Sequence, residues 1–426
     1  NNATATLDLA EIVGSGVVEA TGGKLALKYS ADPAVPVAVR QPVTSLVWLE
    51  TPNGFTTAGG GSITAAGRME GSGNGILAVA TGKVLQFYGG VLGEQSEVSI
   101  DGAGSTFAWR SGDNNGQITA SAGGKLLLDE LTYNIANTGT IHITDGIFSL
   151  PGPSSFPYNW TGQNFTNDGT IHLDNSQMTF GVFPYYGQVI GPVIKGSGTI
   201  ELTNGSVLRN PRIASTGGVV VDATSRLEMT TGSSGFASNL SLAGRMDLAA
   251  GSRLVLTGTW DTADGAVLSD GKQFPCYLEI RGHWQNRMAD PDDFDLSMAL
   301  IEAVGGTQAS PVIIEAASAD LGDVPEGWQD NFAINILTVK TGGYLYLVDQ
   351  FDNSDAPDQI GPSEAVYVDQ LILESDAILN AGDLNIYYKT LKGDPDQIIH
   401  QPIPEPSLMS LLVCGSLVLL RYRRQV

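Results

Sequence analysis

Two cysteines, Cys276 and Cys414, are all that this 426-residue chain carries. They sit in unlike surroundings, FPCYLEI and LLVCGSL, so a disulfide framework and a four-thiolate zinc site are both excluded. Between apolar neighbours, Cys276 reads as a small buried residue. Positive charge is scarce too. Lys and Arg number 22 against 45 Asp and Glu, a formal charge of −23. Nucleic acid and anionic membrane surfaces would repel such a chain, so neither is an expected partner. The acidity suits a surface facing the outside of a cell and is compatible with calcium. Helical periodicity is nearly missing from the body of the chain. So are the Gly-x-Ser-x-Gly, P-loop, HExxH and dinucleotide-binding motifs, and no catalytic constellation stands out. No N-terminal signal peptide is visible. The chain opens at Asn1 without an initiator Met, so a mature chain or a fragment is expected.

Glycine, by contrast, is abundant, at 53 residues, and much of it marks a repeat. The clearest unit is GTIHITDGIFSL, 139–150, read as strand, tight turn, strand. With the preceding Gly as anchor, it recurs at Gly16, Gly75, Gly116, Gly139, Gly169, Gly198, Gly218 and Gly244. Two positions on stand Val18, Leu77, Ile118, Ile141, Ile171, Ile200, Val220 and Met246, all apolar and expected inward. Three positions on stand mostly polar residues, such as Thr119, His142, His172, Glu201 and Asp247, expected outward. From Gly116 the anchors are spaced by 23, 30, 29, 20 and 26 residues; before it the gaps are 59 and 41, with room for insertions or degenerate coils. One unit cannot bury its own apolar face, but a stack can. The pattern predicts an all-β, single-stranded parallel β-helix (a β-solenoid), with a β-sandwich as the alternative.

The chain divides accordingly. Solenoid repeats fill 1–270, with insertions at about 31–60, 151–164 and 180–195. Terminal coils and a β-rich cap follow over 271–392, with strands at 333–339, 344–348, 366–373 and 384–388. A linker spans 393–406, and 407–426 holds a short apolar C-terminal helix with a basic end. The second and third insertions leave equivalent positions of consecutive units, so they should emerge on one side.

Several residues are candidates for chemistry. Aromatics in the insertions, Tyr158, Trp160, Phe183, Tyr185 and Tyr186, could stack on sugar rings, or simply pack on the solenoid wall. His142, His172 and Glu201 share one template position and would form an outward ladder, a solvated face that could also take a divalent metal. Acidic clusters lie at Asp290–Asp295 and at Asp349, Asp352, Asn353 and Asp355. Neither follows a known calcium-loop pattern, and the second is the better candidate for structural calcium. Lys195, Arg209 and Arg212 are the cationic residues nearest the aromatic insertions.

Three resemblances add to this reading. The repeats resemble autotransporter-like parallel β-helices. Residues 331–339, 348–353 and 371–388 resemble the C-terminal repeat region of large secreted proteins of planctomycete-type bacteria, which implies an extracellular β-rich protein. At the C-terminus, Pro404-Glu405-Pro406, the apolar run SLMSLLVCGSLVLL and a basic end with Arg421, Arg423 and Arg424 resemble the PEP-CTERM sorting signal. That resemblance implies export, transient insertion of the tail in the membrane, and removal by an exosortase-type enzyme. The arginines would hold the tail's end on the cytoplasmic side. About 14 apolar residues give roughly 21 Å of helix, short of a ~30 Å hydrocarbon core, which suits a processed anchor better than a permanent one. The expectation is a secreted or surface-sorted structural or adhesive protein serving matrix, biofilm or cell-envelope attachment, not an enzyme. A polysaccharide lyase or hydrolase is the first alternative, and a non-catalytic glycan-binding protein the second.

Overall fold

The structure, a computed structural model, describes residues 4–9, 17–19, 24–29, 37–40, 46–50, 62–65, 67–71, 76–79, 81–128, 135–152, 164–181, 183–185, 188–230, 233–269, 276–288, 290–293, 296–329, 331–351, 353 and 364–400. One coil shows how it is built. Thr140–Thr144 is followed by a turn, by Ile147–Leu150, and past a corner by Asn164–Asn167. Thr170–Asp174 then starts the next coil. Each strand pairs in parallel with its successor one coil on: Thr140 with Thr170, Ile147 with Gln177, Asn164 with Val193. Three parallel ladders result, and the chain is an all-β parallel β-helix.

The first face runs from Val17–Glu19 to Ile398–Ile399, and the strands at its two ends each have a single neighbour, so it is an open ladder. Among the described residues the second face has 13 strands, from Thr4–Leu9 to Val267–Ser269. The third face starts at Val91–Leu92 and reaches Ile213–Ser215. Beside it, Ser234–Ala237 opens a further sheet that extends to Asn385–Lys392.

The inward/outward code of the strands builds the core. Ile118, Ile141, Ile171, Ile200 and Val219 are neighbours in one buried column. Each side chain so buried contributes about 1.5–3 kcal/mol relative to exposure. Further along the same face, Trp260 and Trp284 stack inside the solenoid with ring centroids 4.6 Å apart.

Two polar features lie at the coil corners. The anchor glycines form a column in which an added Cβ on Gly139 would fall 1.9 Å from the Gly116 carbonyl oxygen, and one on Gly169 the same distance from Gly139's. The backbones of successive coils approach here as closely as glycine allows. Next to this column, Asn114, Asn137 and Asn167 are fully buried. Asn114 Nδ2 donates to Asn137 Oδ1 and Asn137 Nδ2 to Asn167 Oδ1, both at 2.7 Å. Each amide also donates to a glycine carbonyl two residues on in its own chain.

Three expectations need correcting. Within 31–60, Val37–Arg40 joins the first face and Leu46–Glu50 the second, so these residues are coil and not insertion. Val37 is in register with Ile63 and Leu77, so the sequence position two before it, where the repeat carries glycine, holds Val35, and the repeat was hidden. At Gly217-Gly218 the anchor is Gly217, which stacks on Gly198. The register moves by one, so Val219 and Val221 are buried and Val220 is 42 % exposed. The strand after Gly244, Arg245–Leu248, belongs to the second face, paired with Arg226–Met229. Met246 is inward all the same.

Strands persist past 271 as Ile334–Val339, Tyr344–Val348, Glu364–Leu373 and Asn385–Lys392, all in the parallel ladders. A 3₁₀ turn, Pro395–Gln397, then leads into the last first-face strand, where Gln397 Nε2 donates to the Glu374 and Ala377 carbonyls. The sorting-signal residues Pro404, Glu405, Pro406, Arg421, Arg423 and Arg424 lie outside the described residues. Among the described residues, no helix is long and apolar enough to cross a membrane.

Candidate carboxylate site in the terminal coils

Among the described residues the second face ends at Val267–Ser269, and beyond it first-face strands alternate with strands of the further sheet. After the first-face strand Val312–Glu315 the chain passes through the short strand Ser318–Ala319 and the 3₁₀ turn Pro325–Trp328, and Tyr344–Val348 is the first-face strand one coil on. Glu315 ends one of these strands and pairs in register with Val348 one coil on. Asp349 follows directly. Glu364 opens the long strand Glu364–Leu373, where it is held by a short antiparallel pairing to Ala319. In this way Glu315, Asp349 and Glu364 converge, with one carboxylate oxygen of each within 4.8 Å of the others. Glu315 and Glu364 are buried and Asp349 is exposed.

Backbone amides hold the site. Glu315 Oε1 accepts from the Gln350 and Phe351 N–H groups, the latter at 2.8 Å. Glu364 Oε1 accepts from Asn353 N at 2.7 Å. Asn353 Nδ2 donates to the carbonyls of Asn286 and Ala316, each at 3.1 Å, tying two earlier coils to this loop. Burial pushes the Glu315 carboxyl above the ordinary glutamate range, against the pull of the Phe351 and Gln350 amides, and the Asp349 charge adds to the push.

Of the four residues expected to form a calcium site, Asp349 stands in this cluster. The Asn353 amide nitrogen is engaged in stitching coils together, and Asp352 and Asp355 lie outside the described residues. Sequence reasoning missed Glu315 and Glu364. A glutamate at a strand end reads as solvent-facing, and its burial beside the buried Ile314 is visible only in the structure. In the other acidic cluster, Asp290 is exposed and the short 3₁₀ turn Pro291–Asp293 occupies the loop.

The histidine ladder forms in the expected register, with His142 opposite His172 and His172 opposite Glu201. The two rings meet edge to face at 4.8 Å. His172 Nδ1 lies 3.3 Å from Glu201 Oε2 and its Nε2 3.2 Å from Thr203 Oγ1, so both ring nitrogens already have neighbours. Among the cationic candidates, Arg209 is ion-paired to Glu228 at 2.6 Å on the second face. Lys195 lies exposed on the third face, opposite Ala214. Arg212 Nη1 donates to the Gly191 carbonyl, and burial lowers its pKa. The structure therefore spreads these three over two faces. Phe183–Tyr185 forms an antiparallel hairpin with Gln188–Ile190. It leaves the same corner as the segment after Gly152, where Gly181 packs against Gly152 of the coil before. Tyr158, Trp160 and Tyr186 lie outside the described residues.

No family model and no curated protein matches the chain. A solved structure with a similar trace is the TibC-catalyzed hyper-glycosylated TibA55-350 fragment. It is 10% identical, with 92% of this chain and 99% of that chain covered, at a TM-score of 0.24. A score that low carries no functional argument.

Proposed function

We propose that this chain is a structural or adhesive β-solenoid of the cell exterior, serving attachment in a matrix, a biofilm or the cell envelope. One observation carries the reading. The first-face strands pair in one ladder from Val17 to Ile399, and from Ile76 on this ladder presents a repetitive wall of outward side chains, on a chain of formal charge −23. A wall of this kind suits weak contacts repeated many times along a polymer or between cells. The resemblance of 404–424 to a sorting signal supports delivery to the surface through transient membrane insertion and an exosortase-type processing enzyme. The test compares cells making the full chain with cells making a chain that ends at residue 403. The full chain should fractionate with the cells, and most of the shortened chain should be in the medium. Equal retention of the two would refute surface sorting through the tail.

A second reading, non-catalytic glycan binding, is favoured by the shared corner of the two aromatic insertions. Tyr158, Trp160, Phe183, Tyr185 and Tyr186, carried by the segments that follow Gly152 and Gly181, would offer ring faces to the C–H faces of sugars.

A further inference from the structure

We propose that Glu315, Asp349 and Glu364 form a calcium site that ties the terminal coils together. The inference does not depend on the attachment role. Calcium binds oxygen ligands at about 2.3–2.6 Å, so oxygens on opposite sides of one ion stand up to about 5 Å apart. The three carboxylates meet that condition, each with an oxygen within 4.8 Å of the others. A second observation points to a ligand. Glu315 is 4 % exposed, and its Oε2 is buried with no hydrogen-bond partner. Among the described residues, no Lys, Arg or His forms an ion pair with Glu315. A buried carboxylate oxygen without donor or cation is strongly disfavoured, and a divalent ion would satisfy it. An all-oxygen donor set suits a hard cation and not zinc, which prefers nitrogen and sulfur. Asp349, exposed to solvent, supplies the third charge and a way in for the ion. Glu315 comes from one coil and Asp349 and Glu364 from the next turn of chain, so the bound ion would link coils that hydrogen bonds already join through Asn353.

The test uses the full chain, calorimetric titration with calcium chloride, and melting with calcium or with EDTA. The expected result is one calcium ion bound per chain and a higher melting temperature in calcium. Asp349→Asn, a change at an exposed position, should weaken binding at least tenfold without unfolding the chain. Glu315→Gln should abolish it while melting no lower than the parent in EDTA, because the buried charge is gone. No binding up to ~10 mM calcium, beyond the weakest extracellular calcium modules, would overturn the proposal. So would binding unchanged in both variants, which would put calcium elsewhere on the acidic surface. Equal stabilisation by magnesium at the same concentration would overturn the assignment to calcium.

Discussion

Gly169→Ala should destabilise the chain by about 3 kcal/mol, the upper end of what overpacking a close-packed site costs. The alanine Cβ would lie 1.9 Å from the Gly139 carbonyl oxygen and 2.8 Å from the Thr138 carbonyl carbon. Both are backbone atoms of the coil before, so no side chain can swing aside. Relief requires the coils to separate, which breaks the neighbouring bond from Thr170 N to Gly139 O, 3.1 Å long. Gly251→Ala is the control. Gly251 has a φ of +70° and nothing within 4 Å of the added carbon, so only the left-handed backbone resists, at about 1 kcal/mol. Urea denaturation of both variants checks the difference. If Gly169→Ala is no worse than Gly251→Ala, the coils are not stacked through the glycine column.

Asn137→Ala should cost a similar amount, about 3 kcal/mol, for a different reason. The side chain sits mid-ladder in a fully buried column. Its loss removes the donor to Asn167 Oδ1 and to the Gly139 carbonyl, and it takes away the acceptor of Asn114 Nδ2. Each buried polar group left without its partner costs about 1–3 kcal/mol. The ladder's end gives an internal comparison. Asn114 Oδ1 has no hydrogen-bond partner, so Asn114→Ala breaks fewer bonds and should cost less. Measured by thermal melting, Asn137→Ala should fall below Asn114→Ala, and the reverse order would mean that the ladder does not act as a unit.

The coil was legible in the sequence because its signal is local and repeated. Ile141, Ile171 and Ile200, spaced by 30 and 29 residues, are in-register neighbours, and the histidine ladder followed from the same arithmetic. Where the local signal was ambiguous, the reading slipped. Two adjacent glycines at 217–218 allow either to be the anchor, and only stacking against Gly198 decides between them. The asparagine ladder was hidden because Asn two residues before a Gly reads as ordinary turn chemistry. Its burial depends on the third face, whose short strands, such as Ile135–Asn137, carry too few residues to show a period. The carboxylate site was half legible. Asp349 sits in a conspicuous acidic loop, but Glu315 and Glu364 reach it only through the ladder pairing of Glu315 with Val348 and the antiparallel contact at Ala319.

The proposed role requires the solenoid to attach to its partner and not to transform it. The most direct measurement incubates the chain without 404–426 with acidic and neutral polysaccharides, following both retention and the release of new reducing or unsaturated ends. No new ends are expected on any polysaccharide, with or without retention. Retention that disappears when Phe183 and Tyr185 are replaced by Ala would refine the account toward a glycan-binding surface protein. New ends, lost on replacing Lys195 or an outward acid such as Glu201, would contradict it and make the chain a carbohydrate-active enzyme.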